Sequence, residues 1–109
     1  MCISVFAGGE EEEQLLSTNS CVNCDLSNAW LEETDLWKVD FSSAKLYCAN
    51  MEYADLRRAN FTSADLSDVK LPGANLSNVI LDNAILRYTN LADANLSRAS
   101  LRGEKLRDP

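Results

Sequence analysis

An all-β solenoid built from five-residue units is the fold class this sequence predicts, and three observations predict it. From Leu26 to Leu106 every fifth residue is large and apolar, Leu at fourteen of the seventeen positions with Phe41, Phe61 and Met51 at the others. Two residues before these centres sits a small or β-branched residue, most often Ala. One unit, Leu71-Pro72-Gly73-Ala74, carries Pro and then Gly where a type II turn wants them. A period of five is neither helical nor a simple strand alternation, so it must be read as a repeat before anything else. Each pentad is then a short extended side followed by a bend, and four sides close a square.

The elements follow in chain order. Residues 1–9, Met-Cys-Ile-Ser-Val-Phe-Ala-Gly-Gly, form a leader. It is short, apolar and ends in small residues, as a truncated export signal would be, but it lacks a basic start and a full hydrophobic run. Both readings, signal remnant and ordinary disordered leader, stand. Residues 10–18 predict a two-turn helix whose acidic run Glu10 to Glu13 suits the positive end of the helix dipole. Alone it is too short to persist in water, so it is expected to cap the open apolar end of the first coil. Residues 19–109 are the repeat body. Asn28, Asn78, Asn83 and Gly103 occupy the position of Gly73 in other pentads, and they too tolerate unusual backbone angles.

The motif Ala-(Asp/Asn)-Leu-x-x stands intact at residues 54–58, 64–68, 74–78 and 94–98. This pattern resembles the pentapeptide-repeat family, over about residues 24–107. The resemblance implies a right-handed quadrilateral β-helix of twenty residues per coil, about four coils long. Residues twenty apart would then stack. One column reads Leu26, Leu46, Leu66, Leu86, Leu106, and another reads Cys21, Phe41, Phe61, Leu81, Leu101. Thr34, Val39, Val69, Val79 and Thr89 replace Ala at the small position, and Glu104 does so where the interior should open to solvent. Glu104 reads as a termination signal. An unpaired terminal coil wants covering or charging. Arg102, Glu104, Lys105, Arg107 and Asp108 would charge it, or two chains would stack end to end as a homodimer, as family resemblance implies.

The formal charge of −7 is unevenly spread. Four of the seventeen acids lie in the run Glu10 to Glu13, whereas all ten basic residues lie from Lys38 onward. Residues 20–109 therefore hold thirteen acids against ten bases, only −3. Phosphate binding wants a concentrated basic stripe, so no direct nucleic-acid binding is expected. No apolar stretch approaches the length of a membrane span, so an integral membrane protein is not expected.

The chain has no His, which removes Ser/His and Cys/His nucleophile pairs and most mixed zinc sites. Stacked carboxylates such as Asp35 and Asp55 belong to the repeat and face outward on a convex rod. No catalytic residue, no metal site and no cofactor are expected, and the protein is read as a non-enzyme. Of the four cysteines, Cys21-Val22-Asn23-Cys24 makes a CxxC, but only Cys2 and Cys48 remain to complete a metal site. Cys21 and Cys24 are expected at interior positions of the first coil, as a buried thiol pair or a disulfide. The stretch around them resembles exported pentapeptide-repeat proteins of photosynthetic bacteria and chloroplasts. That leaves two compartments open: periplasm or thylakoid lumen if the leader is a signal remnant, cytoplasm otherwise.

On the outward faces Trp37 stacks above Arg57 beside Lys38 and Arg58, and Trp30 lies on the adjoining face with Tyr53 a coil below. Aromatic residues and Arg are enriched at binding hot spots. Trp30, Trp37, Tyr53, Arg57 and Arg58 are thus the candidate protein-binding residues. The competing reading packs both Trp side chains under the N-terminal helix. Ile80 and Ile85 form a second, smaller apolar exposure. The function expected is a rigid scaffold or protein-binding module with a protein partner. The alternatives are a DNA mimic that binds a topoisomerase, as in the quinolone-resistance members of the family, and a structural or redox-sensing protein of the periplasm or thylakoid lumen.

Overall fold

Each pentad repeats one backbone path: an outward bridge residue, an inward centre, two turn residues and an inward small residue. This computed structural model describes Leu15 and residues 18–103. Bridge residues pair in parallel with those twenty positions further on, from Ser20 with Asp40 to Ile80 with Ser100. The pairs fall into four columns, which are the four sides of the coil. Side one carries Asp25, Lys45, Asp65 and Ile85; side two carries Trp30, Asn50, Lys70 and Asn90. Side three carries Asp35, Asp55, Asn75 and Asn95, and side four Ser20, Asp40, Asn60, Ile80 and Ser100.

Backbone hydrogen bonding explains why five residues suffice. In the pentad 55–59, Asp55 N–H donates to Thr34 C=O in the coil before, while Leu56 and Arg58 N–H donate to Asn75 and Ser77 C=O in the coil after. Ala59 N–H closes the turn on Leu56 C=O at 3.0 Å. Only Arg57 N–H is left over, and Asp55 Oδ1 accepts it at 3.2 Å. The same two-residue reach recurs from Asp25 to Ser27, Asp65 to Ser67, Asn75 to Ser77 and Asn95 to Ser97. An Asp or Asn before the centre is therefore the group that satisfies the fifth N–H of the pentad. Lys70 stands where this acceptor would be, and two residues on is Pro72, which has no N–H to satisfy.

Every described corner turns with a positive φ at its second residue, as a type II turn requires. Asn23, Asn28 and Gly73 suit that conformation, but Glu33, Lys38, Tyr53, Arg58 and Tyr88 adopt it as well, at φ 58–62°. Each costs roughly 1 kcal/mol relative to a relaxed backbone. The ladder on either side supplies the constraint.

Centres and small residues fill the interior. Leu26, Leu46 and Leu66 stack at 1% exposure or less, and Phe41 lies over Phe61 with ring centroids 5.4 Å apart. No polar or charged side chain is buried among the described residues. Thr replaces Ala only where its hydroxyl has an acceptor: Thr34 Oγ1 donates to Leu31 C=O and Thr89 Oγ1 to Leu66 C=O. Leu86 is still buried, Leu91 and Leu96 are half-buried and Leu101 is 42% exposed, so the interior opens towards that end. The helix expected over 10–18 lies outside the described residues except for Leu15 and Thr18, both helical, with Leu15 in the core cluster. The leader 1–9 and the termination residues from Glu104 on also lie outside them.

Two outcomes check this register. Leu66→Asp places an unpaired charge at a fully buried centre and should abolish the cooperative unfolding transition seen by circular dichroism. Asn75→Ala removes the acceptor of Ser77 N–H and should lower stability in urea by about 1 kcal/mol, whereas Lys70→Ala should leave it unchanged.

Candidate exposed aromatic face

The corner before side two carries residues 27–28, 47–48, 67–68 and 87–88, and the corner after it 32–33, 52–53, 72–73 and 92–93. All three tyrosines of the chain stand on these two corners, Tyr47 and Tyr88 before the side and Tyr53 after it. Trp30 heads the side itself. All four are exposed, Trp30 by 49% and Tyr53 by 65%. Of this group the sequence pointed to Trp30 and Tyr53 but not to Tyr47 or Tyr88. The signal for the missed pair was available, since all four fall within the same seven positions of the twenty-residue register.

The repeat is also interrupted on this face. Trp30 occupies a bridge position where Asp or Asn would accept the N–H of Glu32, which has no acceptor among the described residues. Tyr53 takes a backbone conformation that its side chain disfavours, with φ 58°. Below it Gly73, at φ 70°, leaves room for the ring: a Cβ there would lie 2.4 Å from Tyr53 Cε1. Tyr53 is thus laid along the rod onto the next coil. Its orientation is set by a glycine twenty residues away.

Trp37, Arg57 and Arg58 form a separate group at the corner between sides three and four, across side three from Trp30. The structure does not bring the five predicted residues onto one side. Arg57 donates from Nε and Nη2 to both carboxylate oxygens of Asp55, at 2.8 and 2.7 Å. The Lys38 ammonium lies 4.6 Å from the centroid of the Trp37 ring. Both groups are therefore partnered within the chain. Ile80 is exposed on side four and Ile85 half-buried on side one.

Three carboxylates are held below their ordinary range. Hydrogen bonds from Ser27, chiefly its side chain, lower Asp25; the Arg57 guanidinium lowers Asp55; the Ser100 hydroxyl and then Arg102 N–H lower Asp82. At the opposite end of the interior, Cys21 and Cys24 point inward across one turn and are joined by a disulfide, with exposures of 0% and 6%. Cys48, at a corner, is also in a disulfide, and no cysteine is free among the described residues. The described residues form no pocket and no group of three His, Cys, Asp or Glu able to hold a metal. None of their helices is long and apolar enough to cross a membrane.

Comparison with known proteins matches this geometry to one family. The profile described as Pentapeptide repeats matches in eight copies, over residues 24–62, 46–78 and 64–103. The chain belongs to the pentapeptide repeat family. Among solved structures, the pentapeptide repeat protein alr5209 from Nostoc aligns with a TM-score of 0.73 at 28% identity, over 88% of this chain and 91% of that one. Membership and this likeness make the solenoid a right-handed β-helix. A pentapeptide repeat protein from the Arabidopsis thaliana thylakoid lumen aligns at 24% identity over 93% of this chain and 63% of that one, with a TM-score of 0.49. The protein Rfr23 from Cyanothece aligns at 20% identity over 89% of this chain and 97% of that one, with a TM-score of 0.48. No curated protein sequence matches the chain.

Gly73→Ala should lower stability in urea by about 2 kcal/mol, and the part due to the collision should vanish when Tyr53→Ala is added, leaving the roughly 1 kcal/mol cost of Ala at positive φ. The depressed carboxylates set the acid limb. Their folded pKa values lie below the unfolded value of about 3.9, so their contribution is full above that pH and is lost as pH falls through the folded values. Melting temperature below about pH 4 should therefore fall less steeply in Asp55→Asn than in the unmodified chain.

Proposed function

We propose that this pentapeptide repeat protein is a rigid, non-enzymatic module that binds a protein partner on side two and its corners. One observation carries the reading: every tyrosine of the chain and one of its two tryptophans are gathered on this side of the rod and its corners, exposed, on a backbone bonded to the coils on either side. Large aromatic side chains contribute much contact area for little conformational entropy when they are held in place. Exposed apolar rings grouped on one face mark interaction surfaces. A flat, wet face suits binding better than chemistry, which needs water excluded from the reacting atoms.

The rod in this reading has about four coils, with residues 10–18 covering its first end. Trp30 and Tyr53 are the primary anchors. Trp37, Arg57 and Arg58 are secondary, because Lys38 and Asp55 already engage two of them. The Cys21–Cys24 disulfide is a buried staple of the first coil.

Affinity capture tests this. The protein, immobilised and exposed to extract of its source cells, should retain a partner that is lost from both Trp30→Ala and Tyr53→Ala, with circular dichroism unchanged in each variant. Equal retention by all three proteins would contradict the assignment.

A further inference from the structure

We infer that the segment docking on side two is basic, presenting Lys or Arg side chains to Trp30 and its neighbouring tyrosines. The inference rests on the proposed docking role of this face and adds the chemistry of the partner. Around Trp30, Tyr47 and Tyr53, residues 27–33 and 47–53 contain Glu32, Glu33 and Glu52 and no Lys or Arg. None of these three carboxylates makes an ion pair among the described residues. Glu32 and Glu33 are exposed, and Glu52 is half-buried.

The chain itself shows the complementary arrangement one corner away. Lys38 sits over the Trp37 ring, and Arg57 is held by two bonds to Asp55. Aromatic face, cation and carboxylate are all present there, and the group is complete. Around Trp30 the rings and carboxylates are present, whereas the basic residues of side two and its corners, Lys70 and Arg87, stand two and three coils further on. Cations are drawn to aromatic faces by the ring quadrupole, and carboxylates alongside strengthen and orient that attraction. Residues 1–19 of this chain contain no Lys or Arg, so a cationic segment does not come from the stretch before the rod. The occupant is a cationic segment of another protein.

A fluorescein-labelled octapeptide of alternating Arg and Gly is the probe, titrated with the full chain at about 0.15 M salt and followed by anisotropy. Saturable binding is expected. Trp30→Ala, which changes no charge, should weaken it about fivefold. Glu32→Gln with Glu52→Gln should weaken it at least as much. Two controls define the face: Ile80→Ala, which removes an exposed apolar side chain from side four, and Asp40→Asn with Asp65→Asn, which removes the same two charges from sides four and one while keeping an oxygen to accept the turn N–H. Both should shift binding less than twofold.

No saturable binding, or equal losses in the side-two variants and the controls, would overturn the inference. Trp30-dependent self-association of the chain in sedimentation, through the basic residues Arg98, Arg102, Lys105 and Arg107 of a second copy, would overturn it as well. A partner captured from extract through Trp30, combined with a peptide titration that ignores Trp30, would leave the docking role standing and reject the basic segment.

Discussion

The fold depends on the disposal of five backbone N–H groups per pentad. Three bond into the neighbouring coils, one closes its own turn, and the last is taken by an Asp or Asn side chain two residues earlier, as the pentad 55–59 shows bond by bond. With the backbone satisfied locally and between adjacent coils, the interior needs only one large and one small apolar residue per pentad. That is why Leu and Ala alternate with so little variation. It is also why the outward positions are free to carry unusual side chains without disturbing the core.

Much of this was legible in the sequence. The period of five located the centres, and stacking at twenty placed Phe41 over Phe61 correctly. The Pro72-Gly73 pair and the asparagines marked the corners. Positive φ at Glu33, Lys38, Tyr53, Arg58 and Tyr88 was not legible, because those residues do not favour it; the ladder imposes it against their preference. Repeated Asp and Asn were visible, but the N–H they satisfy can be named only once the backbone path is known. The aromatic face was half legible. Trp30 and Tyr53 stood out by residue type, whereas Tyr47 and Tyr88 join them only when corners are assigned to sides. Asp55 as the partner of Arg57 is a local contact between residues two apart, and no stacking argument along a column reveals it.

Departures from the repeat are informative because the repeat is otherwise so uniform. Where Lys70 omits the Asp or Asn acceptor, Pro72 removes the need for it. Where Trp30 omits it, the N–H of Glu32 has no acceptor among the described residues, and the exposed ring is what the chain gains. Lys45 and Ile85 omit it as well, leaving the N–H groups of Tyr47 and Arg87, on the corner before side two, without an acceptor among the described residues, as Ile80 does for Asp82 on another corner. A local rule broken without structural compensation is the expected mark of a functional surface. Side two has these marks, whereas the Trp37 corner is closed on itself by Lys38 and Asp55.

Amide hydrogen exchange, resolved residue by residue by nuclear magnetic resonance, tests the central claim most directly. Ladder and turn amides such as Leu56, Arg58 and Ala59 should exchange most slowly, those of Arg57, Ser67 and Ser77 should be protected by their Asp or Asn acceptors, and those of Glu32 and Tyr47 should exchange fast. A pattern in which Glu32 and Tyr47 are as protected as Arg57 and Ser77 would contradict the account, because the side chain before each centre would then not be what satisfies the fifth N–H.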